Sequence, residues 1–128
     1  MACPPLDTKR DLFSRSEVVR VFSALSVELG IPAPAIHWSE RSRNGRYHVV
    51  GGVVVLGPNV WRRWHCALHE FAHHVTYFVA RDAPSHGRVF REALEMVASM
   101  ALGDAARYAW VSEYRSIAMH GRRRGLVR

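Results

Sequence analysis

The sequence predicts an α+β fold in a single domain, and three observations predict it. Apolar residues recur at helical spacing over residues 14–29, three short β-type runs follow between residues 35 and 57, and helical spacing returns after residue 58. At 128 residues and 48% hydrophobic composition, the chain has one domain's length and enough apolar material for a modest core. The expected division is a single domain over 1–120 and a basic C-terminal tail over 121–128.

The first element is an amphipathic helix. Val18, Val21, Phe22, Leu25 and Leu29 share one side, Ser14 or Ser16 can cap its start, and Gly30 and Pro32 stop it. Then come AIHWSE, RYHVVG and GVVVLG, divided by SRNGR and by Gly51-Gly52, which predicts a small, mostly antiparallel sheet of about three strands. Asn44-Gly45 is a hairpin signal between the first two runs. Val53 to Leu56 is apolar without alternation, as in a strand covered on both faces or shared with a ligand. Pro58 and Asn59 open a longer helix to about Val79, with Val60, Trp64, Leu68, Ala72, Val75 and Val79 along one side. A break at 82–85 precedes a helix from about Gly87 to Ala101 that buries Phe90, Leu94, Val97 and Ala101, and a last helix runs from Asp104 to about Met119.

Charge and cysteine content narrow the function classes. The net charge is +7, but five arginines after Glu113 face no acid; without them 13 basic residues stand against 11 acidic ones. The excess is therefore concentrated in a tail, where solvation explains it more simply than a nucleic-acid surface does. Cys3 and Cys66 are too few for a disulfide framework and too isolated for a zinc knuckle. No run of eighteen apolar residues occurs, and the prolines and aspartate of MACPPLDTKRDLF do not suit a signal peptide. These features predict a soluble cytoplasmic protein with no membrane partner.

Chemistry concentrates in HEFAHHVTYFVARDAPSHG, residues 69–87, which holds four of the eight histidines. His69-Glu70-Phe71-Ala72-His73 fits H-E-x-x-H. Residues four apart on a helix differ by about 40° and lie one turn apart, so both imidazoles can reach one ion. Glu70, about 100° from His69, can act through a bound water as general base. A hydrolytic zinc site takes three protein ligands and keeps a fourth position open. His86, at the mouth of the next helix, can supply the third. Glu92 or Glu95, on that helix, is the alternative third ligand, while Val79 excludes the variant that places a histidine six residues after His73.

The other histidines have plainer readings. His65 is an exposed helix position, His74 is a partner for a nearby acid or water, His37 and His48 are surface positions on strands, and His120 belongs to the tail.

HEFAH, followed by twelve residues and then HGRVF, resembles the SprT-like group of minimal zinc metallopeptidases, and GGVVVLGPNV is similar to the strand and connection before their active helix. The likeness covers residues 51–94 and is closest to small stand-alone metallohydrolases of actinobacteria and their phages, in keeping with seventeen arginines against one lysine. It implies a zincin-like fold, an active helix followed by one or two more, zinc on His69, His73 and His86, and Glu70 as catalytic acid/base. It further implies that Gly87 allows a tight start to the following helix and that Phe90 packs that helix against the active one. DNA-acting members commonly add a zinc ribbon, and no four-cysteine set follows here.

The expected function is a zinc-dependent peptidase acting on a peptide or protein, with the substrate paired to an exposed sheet edge at Val53 to Leu56 and Tyr108, Tyr114 or His120 as a further oxyanion donor. Two alternatives come from other classes: a DNA-associated protein tethered by its arginine tail, and a regulatory zinc domain without turnover.

Overall fold

The computed structural model describes residues 14–40, 45–57 and 64–103, apart from the side chains of residues 64 and 65. Its elements in chain order are α1 (Arg15–Leu29), β1 (Ala35–Trp38), β2 (Arg46–His48), β3 (Val53–Leu56), α2 (Trp64–Val79) and α3 (Arg88–Leu102). The start expected for the active helix at residues 58–63, the helix expected over 104–119 and the tail over 121–128 lie outside the described residues.

Helix α1 begins where its sequence says it should. The Ser14 hydroxyl accepts from the Glu17 amide at 3.2 Å while the Glu17 carboxylate accepts from the Ser14 amide at 3.1 Å, a reciprocal cap that satisfies two backbone donors. It ends at Gly30, which turns left-handed at φ 68° and lets the Ile31 amide reach back to the Ser26 carbonyl at 3.1 Å. Val18, Val21, Phe22 and Leu25 are buried as their spacing predicts.

The sheet departs from expectation in its order. The strands lie β1-β3-β2, with β1 parallel and β2 antiparallel to β3, so the sheet is mixed rather than mostly antiparallel. The tight hairpin joins β2 to β3 through Val49–Gly52, where Gly51 and Gly52 both take positive φ. The runs on either side of the expected Asn44-Gly45 hairpin do not pair with each other, and residue 44 lies outside the described residues. The first of these runs pairs instead with β3, the strand apolar enough to be covered from both sides. Val54 and Leu56 face the helices, Val55 is buried on the opposite face, and both edges of β3 are hydrogen-bonded. Val53 to Leu56 therefore offers no free edge, and the substrate pairing expected there is overturned.

Helix α2 lies between the sheet and α3. Leu68, Phe71, Ala72 and Val75 from α2 meet Phe90, Leu94, Val97 and Ala101 from α3 and Phe22 from α1 in one core. Phe22 and Phe71 rings are 4.9 Å apart. Val79, expected on the buried side, is 69% exposed because α2 ends there, past the last layer that could cover it. Among the described residues no helix is long and apolar enough to cross a membrane.

Candidate metal centre

Two turns of α2 and the residue before the cap of α3 create the site. His69 and His73 sit one turn apart on α2, as the helical repeat requires, with ring centroids 4.9 Å apart. His86 must then be turned back across the α2–α3 connection. Its backbone takes φ 60°, the one positive φ at a non-glycine among the described residues, a strained conformation that histidine tolerates better than most side chains. Gly87 follows as the cap of α3. A Cβ there would lie 3.2 Å from the Pro84 carbonyl, so glycine permits the close turn that carries His86 inward.

Three nitrogens converge as a result. The His86 Nε2 lies 3.1 Å from the Nε2 of His69 and 3.1 Å from that of His73. Zinc bound tetrahedrally by imidazoles at about 2.0–2.1 Å spaces its nitrogens by about 3.3 Å, so the trio fits such an ion. A single proton could join only some of these lone pairs. One cation would satisfy all three. The three histidines could hold a metal ion.

The surroundings orient the rings and keep those of His73 and His86 neutral. Phe90, fully buried, lies beneath all three, with ring centroids 5.0 Å from His69, 4.3 Å from His73 and 4.9 Å from His86. Burial, helped by His86 beside it, pushes the His73 pKa down to about 4, and burial lowers that of His86. Both therefore offer lone pairs near neutral pH. With Nε2 turned to the trio, the His86 Nδ1–H can donate to the Ser85 hydroxyl at 3.2 Å, which fixes the ring's tautomer.

Glu70 is 7% exposed, and burial raises its carboxyl pKa to about 7. It packs under the backbone of Gly45, where a Cβ would come within 2.9 Å of both its Cγ and Oε2. Glycine at 45 thus gives the carboxylate its room. Glu70, the three histidines, Gly45 and Tyr47 all border one cleft of about 420 Å³. Glu92 does not join them. It pairs with Arg88 at 3.1 Å on the exposed side of α3, and neither it nor Glu95 belongs to the converging group.

His74 was the residue whose environment sequence reasoning missed. It is 2% exposed and spans two elements: its Nε2–H donates to the Pro32 carbonyl at 2.8 Å, and its Nδ1 accepts from the Tyr47 hydroxyl at 2.8 Å. The carbonyl can only accept, which sets the tautomer and makes the tyrosine the donor. Burial lowers the His74 pKa, partly opposed by the Pro32 bond, and burial raises that of Tyr47. This clasp ties β2 to α2 at the residue after His73. His37 and His48 are exposed on their strands as expected. The side chain of His65 lies outside the described residues, as do Tyr108, Tyr114 and His120.

No family model, curated protein or solved structure matches this chain. What can be said of the centre rests on its own residues.

Proposed function

We propose that the protein is a zinc-dependent metallohydrolase with a zincin-like arrangement, and that it acts as a peptidase. The observation that carries this reading is the convergence of the His69, His73 and His86 Nε2 atoms with a buried carboxyl, Glu70, bordering the same open cleft. Zinc held there would polarise a carbonyl and acidify a water molecule. Glu70, with a carboxyl poised near neutrality, accepts the proton of the attacking water and returns it to the leaving amine. Gly45 and the Tyr47–His74 clasp hold that carboxyl and the cleft wall in place.

An opening beside the trio favours hydrolysis over a regulatory zinc domain without turnover, since a purely structural zinc closes its coordination with protein ligands. DNA tethering rests on the arginine tail alone. No described residue bears on it.

The test is metal analysis beside hydrolysis. Wild type should hold one equivalent of zinc, and His69→Ala, His73→Ala and His86→Ala should each lose it. Glu70→Gln should keep the metal and lose cleavage of an unstructured protein substrate. Retention of a full equivalent by His86→Ala would defeat the ligand set, and full cleavage by Glu70→Gln would defeat the mechanism.

A further inference from the structure

The stripe that carries the metal ligands does not stop at His73. His69, His73, Tyr77 and Arg81 follow one another at intervals of four, and all four border the cleft. The first three are on α2, each a turn beyond the last with about 40° of drift. Arg81 lies just past the helix end, yet its guanidinium stays on the line, stacked over the Tyr77 ring at 4.8 Å from the centroid. Such stacking holds a planar cation in one orientation and leaves its edge donors free for a ligand.

Two arginines border the cleft, Arg81 and, on β2, Arg46, and among the described residues the one carboxylate along it is Glu70. Asp82, next to Arg81 in the chain, is exposed and does not border the cleft. Neither arginine forms an ion pair among the described residues. A groove with walls of low dielectric and cations of one sign concentrates anions.

We propose that Arg81 selects substrates bearing a carboxylate about three residues from the bond that is cut. Six residues of helical rise carry α2 roughly 9 Å from His73 to its end at Val79, with Arg81 two residues beyond, a span that an extended peptide covers in about three residues. The carboxylate can be an acidic side chain or the free C-terminus of a short peptide. Planar two-point pairing with the stacked guanidinium recognises either one.

This selectivity rests on the peptidase reading for its chemistry, but it can be measured without turnover. Zinc-loaded Glu70→Gln protein is titrated with fluorescent hexapeptides that carry one glutamate, stepped through each position, or glutamine in its place. Each is made with an amidated or a free C-terminus. The best glutamate peptide should bind about fivefold more tightly than its glutamine twin, the size of one exposed charge-assisted contact, and the advantage should shrink with salt. Adding Arg81→Ala should bring the ratio to about one, and Arg81→Lys, which keeps charge without planarity, should retain a lesser preference. If only the free-acid series shows the effect, the selected group is the terminal carboxylate; if amidated peptides show it equally, it is the side chain. Equal binding of glutamate and glutamine peptides in every series would overturn the proposal, as would a preference untouched by Arg81→Ala. So would a single-stranded oligonucleotide that displaces the glutamate peptide at lower concentration than a second glutamate peptide does. Failure of the peptidase reading looks different: wild type cleaves none of the peptides although the glutamate preference persists in binding.

Discussion

At the residue scale, Glu70 shows how burial and chemistry pull against each other. Its raised pKa means that the folded, metal-free protein holds a proton on Glu70 that the unfolded chain releases between about pH 4.5 and 7. The stability this group contributes is present below 4.5 and lost as pH rises through 7. Metal-free Glu70→Gln, which cannot ionise, should therefore gain melting temperature over wild type at pH 8 and gain less or nothing at pH 4.5; an equal shift at both would contradict the burial argument. Gly45→Ala should push the carboxylate aside by crowding its Cγ and Oε2, costing about tenfold to hundredfold in kcat with zinc content unchanged. The Tyr47–His74 pair separates two costs. Tyr47→Phe forfeits one hydrogen bond, about 1 kcal/mol, whereas His74→Phe also strands the Pro32 carbonyl and should cost about 1–3 kcal/mol, both read by urea denaturation. The approach of His69 to His73, with Glu70 beside them, was legible because that geometry is local to a helix turn. His74 was not, because its partners lie 27 and 42 residues away and nothing in a linear pattern names them.

At the element scale, the helices were readable and the sheet was readable only in part. Each helix carries its own instructions: Ser14 with Glu17 starts α1, Gly30 ends it, and apolar spacing fixes the buried sides of α1 and α3. Ser14→Ala should accordingly cost about 1 kcal/mol of unfolding free energy with no change in metal content, since the cap lies at the far end of α1 from the site's elements in sequence and contacts none of its residues. Strand identity was likewise visible in the runs themselves. Strand order was not, for a turn signal such as Asn44-Gly45 says that the chain reverses without saying which strand it will lie beside. Only the unbroken apolar character of Val53 to Leu56 hinted that this strand would be central.

At the scale of the whole molecule, the proposed zinc would be coupled to the fold through the site. Three ring nitrogens, two of them 3.1 Å from the third over a fully buried phenylalanine, are costly to keep together without a shared cation. A ligand that binds only the folded state adds about 2.7 kcal/mol at a hundred times its dissociation constant, so stripping zinc with a chelator should lower Tm by several degrees, and restoring zinc should recover it. His73→Ala should show no such response. Protons oppose the same coupling: with its folded pKa near 4 against 6.5, His73 resists protonation, so the metal-free fold loses stability as pH falls from 6.5 towards 4. The third histidine of the cluster was legible from His86 as a residue type, but not the left-handed backbone that aims it, which arises from the connection as a whole.

The order β1-β3-β2 has a consequence for the chain as it is being made. The central strand is the last of the three to leave the ribosome, so β1 and β2 wait without their sheet partner until residue 56 has emerged. A stalled chain ending before Gly52 would hold two strands with nothing between them, open to any foreign strand that arrives first.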